Sequence, residues 1–490
     1  MYDVILIGSG LGSLIAACKL AREGKKTLVL EKHTIAGGFA TSFKRKQKWE
    51  FDVSLHCISG LKEGGRVRGI LEEIGVYHRL EFRQATQLYT VIHPNGKMSV
   101  DGDSEQYKRN LIEMFPDEEK GISDLFTLFV TIRNEMIENQ KGAPTFLKYQ
   151  NYSLQEMIDE CIQSPQLKSI ICQFWGYFGL PPSMLSANYF AYAWTDYHYY
   201  GGYYPVLKSQ GISNELVTLL EEYGGEVITR QEVTEIIVEN GIACGVRTKK
   251  GKEFRGDHII SNMDPKKMLP LLSGIEEIPR RFERKVESIQ PSYSCIQAYI
   301  IIDGVFSDMF DEKNHEIFVN DYFDLNRVEK DINEGNYSQM PYCVTIYENI
   351  VPEYQNNDES TLTMMQICNY KDWENINKEE YLQKKARIAN IFLDRLEKVY
   401  PGIKEKVKHI ELATPLTVKR YTGHTNGAIY GAAQTVSQSL HRSLSQLTPI
   451  PRLYLVGAWT RPGAGYSGVI SSGYNLANTI LKREKREVYS

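Results

Sequence analysis

The sequence predicts an α/β protein in which a parallel-sheet domain is assembled from three separated stretches of chain, with an α+β domain interleaved between them. Three observations predict it. The chain opens with strand, glycine turn, helix and strand; it closes with strand, glycine turn and helix again; a mid-chain run of short strands supplies a third piece. At 490 residues the chain is long enough for two or three domains. Hydrophobic residues at 42% and charged residues at 24% are the balance of a globular protein with a sizeable core. A net charge of −4 gives no basic field for nucleic acid, and none is expected as a partner. No apolar run approaches the roughly 18–20 residues of a membrane span.

Residues 4–7 are a short β-branched apolar run, which reads as a buried strand. Gly8, Gly10 and Gly12 follow, then an apolar-periodic helix ending at Gly24, then a second strand over 27–30 with Glu31 at its end. Gly8 permits the sharp turn, and Gly10 lets the backbone approach a pyrophosphate. The helix start at Leu11, Gly12 and Ser13 offers unpaired N–H groups to that anion. Ser13 stands at the usual third glycine position and is small enough for the helix–strand contact. Glu31 can accept both hydroxyls of an adenosine ribose, and its charge disfavours a 2′-phosphate. The unit is a Rossmann dinucleotide site, with Lys32 beside the acid as a further contact.

The stretch 31–43, EKHTIAGGFATSF, adds a second glycine pair, Gly37 and Gly38, followed by Phe39 and Ala40. An extended FAD needs this close backbone path, whereas NAD does not. With EFDVSLHCISG over 50–60, this segment resembles the FAD-dependent oxidoreductases of the phytoene desaturase, carotenoid isomerase and retinol saturase group. The resemblance covers nearly the whole chain and is most specific at its two ends. It implies a glutathione-reductase-like FAD-binding Rossmann domain in three segments, 1–95, 206–270 and 440–490. An α+β substrate domain would then come from 96–205, mainly helical, and 271–439, which contains a sheet. The wider flavoprotein pattern has an arginine after the glycine pair; here Phe39 stands there. In the C-terminal segment Gly457, Gly463, Gly468, Val469 and Ile470 match the path over the ribityl and the pyrimidine end of the flavin. Mid-chain, Val233 matches the backbone position that holds adenine. The block 413–431 is expected where substrate meets cofactor.

Within the inserts, helices are expected over 104–138, 154–172 and 378–400, and strands over 293–302, 342–347 and 361–368. Between Phe174 and Tyr204, 13 of 31 residues are aromatic against a chain average of 11%. Such a run serves either an ordinary core or a pocket for a long flat hydrocarbon. Tyr 31 also outnumbers Phe 18, which is unusual.

The resemblance implies an enzyme that saturates, desaturates or isomerises C=C bonds of a lipophilic polyene (carotenoid, retinoid or a related isoprenoid lipid) by hydride exchange with flavin N5. No second dinucleotide motif is present, so an external electron donor or acceptor is expected. His56 is the candidate that moves the proton; His424, Asp52 and Asp196 have weaker claims. Two alternatives stand beside this reading: an amine-oxidase-like flavoenzyme, and a non-catalytic FAD- or lipid-binding protein. The eight cysteines are scattered with no C-x-x-C pair, so no metal site is expected. They point to a reduced, cytoplasmic compartment. The basic run Lys44, Arg45, Lys46 and Lys48 makes peripheral docking on a membrane a further expectation.

Overall fold

Residues 4–7 are each at most 4% exposed, and this apolar run places the strand Tyr2–Ile7 at the centre of a parallel sheet. In the computed structural model, which describes residues 1–137, 142–355 and 358–488, this strand pairs in parallel with Thr27–Leu30 on one side and Glu253–Ser261 on the other. Glu226–Ile228 extends the sheet past Thr27–Leu30, and Leu453–Leu455 lies parallel to Glu253–Ser261. Head, middle and tail of the chain therefore share one sheet. The strand Glu253–Ser261 serves twice: its first residues pair antiparallel with Ile242–Thr248, and its later ones join the parallel sheet.

The helix Leu11–Arg22 follows the first strand, and residues 11–21 are all buried. A helix apolar on every side must be covered on every side. Lys208–Glu222 covers one face, where the Cys18 thiol reaches the Leu216 carbonyl at 3.2 Å. The last helix, Gly465–Val488, covers another. That crossing is backbone on backbone: a Cβ at Gly473 would overlap the Gly12 carbonyl oxygen, and one at Gly12 would press on the Gly457 backbone at 3.2 Å.

A second sheet of seven strands runs in the order Val407–Ala413, Ser294–Asp303, Glu359–Cys368, Tyr342–Ile346, Glu316–Val319, Gln87–His93, Gly96–Asp101. The strands expected over 293–302, 342–347 and 361–368 are its centre. The expected boundary at residue 95 does not coincide with the sheets. Gln87–His93 is rich in β-branched and apolar residues, pairs with Gly96–Asp101 and runs parallel to Glu316–Val319. The chain therefore leaves the first sheet before residue 87. The expected helix over 104–138 is two helices, Ser104–Met114 and Glu119–Ile137, interrupted at Pro116; residue 138 lies outside the described residues. The stretch 154–172 likewise divides before Pro165, and Lys378–Val399 ends before Pro401. Among the described residues no helix is long and apolar enough to cross a membrane.

The aromatic run is largely core. Trp194, on the helix Ala187–Tyr200, packs on Phe126 and Phe129 at 4.9 Å, and Phe190 also meets Phe129. Beneath Trp194, stacked at 4.0 Å, lies His198. Its Nδ1 must donate to the Trp194 carbonyl, which can only accept, so Nε2 accepts from the Tyr89 hydroxyl. Burial holds this imidazole neutral, with its pKa pushed down to about 3.

Two outcomes follow. Gly473→Val should cost about 1–3 kcal/mol through the overlap with Gly12 and lower the thermal midpoint. Second, unfolding releases His198 to its ordinary pKa of 6.5. The unfolded chain then binds more protons, and stability falls as pH drops from 6.5 toward 3, by about 1.4 kcal/mol per pH unit from this residue. Urea unfolding between pH 7 and 5 should therefore show a shallower decline in His198→Phe than in the wild type, whatever its starting stability.

Candidate active site

The turn from the first strand into Leu11–Arg22 leaves the helix start open. Gly10 is the N-cap, no side chain caps it, and no acid occupies the first turn. Ser13 Oγ is buried there without a partner among the described residues. A parallel bridge joins Gly10 to Gly37, so the two glycine turns lie side by side. Ser9 fastens them: its carbonyl and its hydroxyl both accept from Gly37 N–H, at 3.1 and 3.2 Å.

Glu31, 5% exposed, accepts from Ser9 N–H at 2.9 Å, Ser9 Oγ at 2.6 Å and His33 N–H at 2.8 Å. A carboxylate has about four acceptor positions. Three are filled from the protein, which leaves one on Oε1. Glu31 thus clamps the turn as well as facing a ribose, and the expected acceptance of both ribose hydroxyls is reduced to one free position. Gln231 N–H bonds the Glu31 carbonyl and Arg230 N–H the His33 carbonyl. This sets Val233, two residues on, beside the acid. Lys32 is exposed.

Asn262 follows the strand Glu253–Ser261 and donates its N–H to the Ile7 carbonyl at 3.0 Å. Its side chain lies against Gly8 through Cβ and against Gly10 and Gly457 through the amide, and a Cβ on Gly10 would stand 2.5 Å from its Nδ2. The head and tail turns thus meet across one mid-chain side chain. Gly463 precedes the last helix, whereas Gly468, Val469 and Ile470 lie inside its first turns, because the helix already begins at Gly465. The Phe39 carbonyl accepts from Ser54 Oγ at 3.0 Å and from Tyr466 OH at 3.4 Å. Its ring packs on His424, which stands edge-on to Trp459. The volume where the wider pattern has an arginine is aromatic here. Ala40 is buried, and its carbonyl accepts from Ser213 Oγ at 2.6 Å.

These residues fit FAD. An uncapped helix start, paired glycine turns and a buried hydroxyl without a partner suit a pyrophosphate, and the acid at the second strand's end suits a ribose.

Residues 53–59 run between this cradle and the second sheet. Ser54 touches Phe39, and Ser59 Oγ meets Ser467 Oγ on the last helix at 2.8 Å. The carbonyls of Val53, Leu55 and Cys57 are each held by a tyrosine hydroxyl: Tyr299 at 3.4 Å, Tyr347 at 2.8 Å and Tyr197 at 3.1 Å. His56 is 6% exposed, and its side chain points into the second sheet. Nδ1 lies 2.5 Å from Thr345 Oγ1 and 3.5 Å from Glu316 Oε2, and Thr345 Oγ1 donates to that same oxygen at 2.8 Å. Glu316 and Thr345 are directly opposed on adjacent antiparallel strands. Tyr177, Tyr197 and Tyr430 stand around them. Burial above all raises the three hydroxyls and keeps them protonated; the Glu316 charge is the next cause at Tyr177 and a lesser one at Tyr197 and Tyr430.

Ligand atoms of His56, Glu316 and Cys343 lie within 4.8 Å of one another, close enough to enclose a cation. Burial lifts the Cys343 thiol well above its ordinary range.

The weaker candidates are occupied elsewhere. Asp52 accepts from Ser209 N–H and Oγ and from Tyr204 OH. Asp196 pairs with Arg133 at 2.8 Å. His424 Nδ1 bonds the Ala428 carbonyl at 2.8 Å, and burial lowers its pKa. In the basic run, Arg45 is paired to Glu411, Lys48 to Glu359 and Lys44, at 3.9 Å, to Glu50, which leaves Lys46 as its outward charge without an ion pair among the described residues. Sequence reasoning missed Ser9, Asn262, Thr345 and Glu316. Ser9 alone carried a signal, as the small polar residue between two turn glycines.

The model of the flavin-containing amine oxidoreductases matches residues 14–481. The chain belongs to that family. It is an FAD-dependent oxidoreductase of the branch that the motifs indicated. An all-trans-retinol 13,14-reductase from Danio rerio is 26% identical, covering 98% of this chain and 86% of that protein. A prolycopene isomerase from Daucus carota is also 26% identical, covering 98% and 80%. Among solved structures, an oxidoreductase from Methanosarcina mazei superposes with a TM-score of 0.69 at 18% identity, covering 97% of this chain and 100% of that one. A putrescine oxidase gives 0.69 at 16%, covering 98% and 99%. These two show the fold.

Glu31→Ala removes the clamp on Ser9 and the remaining ribose acceptor. FAD affinity should fall by about 10–100-fold, as for a lost charge-assisted hydrogen bond, measured by flavin fluorescence titration of the apoprotein.

Proposed function

We propose that this enzyme saturates, desaturates or isomerises C=C bonds in a lipophilic polyene. The observation that carries the reading is the position of His56. It sits on a loop that touches both the Phe39 turn and the last helix, and its ring faces a buried carboxylate among tyrosines of the second sheet. The relatives named retinol 13,14-reductase and prolycopene isomerase support the substrate class.

When bound, FAD supplies a hydride donor or acceptor. The chain supplies the rest. The uncapped helix start and the glycine turns would hold the pyrophosphate, Glu31 would orient the ribose, and Val233 would meet the adenine. The last helix, opening at Gly465, would hold the flavin through Gly468, Val469 and Ile470. His56 holds or takes the proton at the carbon next to the one that exchanges hydride, and the buried surroundings exclude water. Electrons come from or go to an external partner. The cofactor domain follows the first sheet, and the substrate domain is built on the second. A cytoplasmic site of action agrees with eight free cysteines.

The test is anaerobic: reduced and oxidised enzyme are each mixed with retinoids and carotenes while the flavin spectrum and product mass are recorded. A gain of two hydrogens identifies saturation, a loss identifies desaturation, and unchanged mass with altered retention identifies isomerisation. His56→Gln should keep its flavin and lose about 10²–10⁴-fold in rate. A flavin that polyenes leave untouched and a primary amine reduces would overturn the reading.

A further inference from the structure

We infer that Thr345 and Glu316 are positioning residues that fix the proton-bearing nitrogen of His56. The inference rests on His56 being the proton carrier of the proposed reaction. The ionised carboxylate of Glu316 can only accept, so the single hydroxyl hydrogen of Thr345 goes to Glu316 Oε2 at 2.8 Å. The Thr345 oxygen is then an acceptor toward His56, 2.5 Å away, and Nδ1 must carry the hydrogen. In the neutral ring this leaves the lone pair on Nε2, for which no hydrogen-bond partner is present among the described residues. Nε2 is therefore the nitrogen that takes a proton from the substrate carbon or returns one to it.

The charge made in that step is also provided for. When Nε2 gains a proton the ring becomes an imidazolium, 3.5 Å from Glu316 Oε2. The other carboxylate oxygen, Oε1, is buried without a hydrogen-bond partner among the described residues, and the Cys343 thiol, a weak donor, stands against the carboxylate. Beside it, the His315 ring is held neutral, with its pKa pushed down to about 4 mainly by burial, and Nε2 of that ring also has no partner. Among the described residues no Lys or Arg forms an ion pair with Glu316, and His56 is its one cationic partner. The antiparallel register that sets Glu316 opposite Thr345 fixes the relay in the backbone of the sheet.

The test uses the FAD-loaded enzyme with ¹⁵N-labelled histidine and needs no substrate. Ten histidines are present, and His56 is assigned by difference against His56→Gln. Wild type should show Nδ1–H with a lone pair on Nε2 at neutral pH. Glu316→Gln reverses the chain, because its amide donates to Thr345, whose hydroxyl then donates to Nδ1; the hydrogen moves to Nε2. Thr345→Ser should keep the wild-type signature, and Thr345→Val should lose it. In turnover, Glu316→Gln should lower kcat on the order of 10²-fold with KM unchanged, and Thr345→Ser should restore most of what Thr345→Val loses. A wild-type ring bearing its hydrogen on Nε2, or a tautomer indifferent to both Glu316→Gln and Thr345→Val, overturns the relay. Either result is independent of whether polyenes react, so failure of the relay and failure of the substrate reading are told apart.

Discussion

The contact between the first and last helices is the constraint on which the rest of the molecule depends. Leu11–Arg22 is buried around its whole circumference, and at Gly12 and Gly473 the two helices touch through backbone atoms. No side chain can mediate an approach that close, so the crossing fixes where the Gly457 turn stands relative to Gly8 and Gly10. The cofactor cradle is the space that remains. Asn262, from the middle of the chain, meets both turns and completes it. The three segments of the first sheet are thus mutually required. The opening β–α–β unit alone would leave an apolar helix exposed on two faces, and the closing helix alone has nothing to cover. Assembly must wait for contacts more than 450 residues apart, which makes the cofactor fold cooperative with the domain inserted between its pieces.

The tyrosine excess has a structural explanation in the loop 53–59. Irregular backbone pressed between two domains cannot use a ladder to satisfy its carbonyls, and a buried carbonyl without a donor costs about 1–3 kcal/mol. Tyr299, Tyr347 and Tyr197 reach three alternate carbonyls of that loop from the second sheet and from the helix Ala187–Tyr200. Phenylalanine would pack as well and leave the loop unpaired. The same device recurs where Tyr466 bonds the Phe39 carbonyl and Tyr354 the Val206 carbonyl. Each of these tyrosines fills apolar volume with its ring and places one donor at a point that the backbone dictates. The loop carrying His56 is held as firmly as a strand would be.

The cofactor half of the fold was legible because its signals are local. A strand run, turn glycines, a small-residue helix and an acid at the second strand's end each follow from nearby residues, and residues 2–31 contain all of them. The second sheet was legible only strand by strand, since its order depends on partners far away in sequence. Gln87–His93 reads as a strand anywhere; that it belongs beside Glu316–Val319 is decided by burial of both faces. The group around His56 was half visible. His56 stands out as an ionisable residue within a motif, whereas Thr345 and Glu316 look like a β-former and an isolated acid until the register sets them opposite each other. The aromatic run was ambiguous for a similar reason. Composition cannot separate core from pocket, and Trp194, Phe190 and Phe174 are core.

Glu316 is the residue whose presence stability does least to explain. It is fully buried on a strand whose other residues, Ile317, Phe318 and Val319, are apolar. Taking a carboxylate out of water costs several kcal/mol, and a buried ion pair is often no more stable than apolar residues of similar volume. A purely structural acid would be expected to use every acceptor position, as Asp52 nearly does with Ser209 and Tyr204. Glu316 instead spends one oxygen on Thr345, leaves the other unpaired, and faces two histidines, one of them carried by the loop that touches the cofactor cradle. An unneutralised charge at that place is costly in the resting protein. It is repaid when the neighbouring imidazole becomes positive, because only then does the carboxylate gain a full counter-charge. With His56 in its proposed role, the arrangement favours a transient charged state over the resting one, as transition-state complementarity requires.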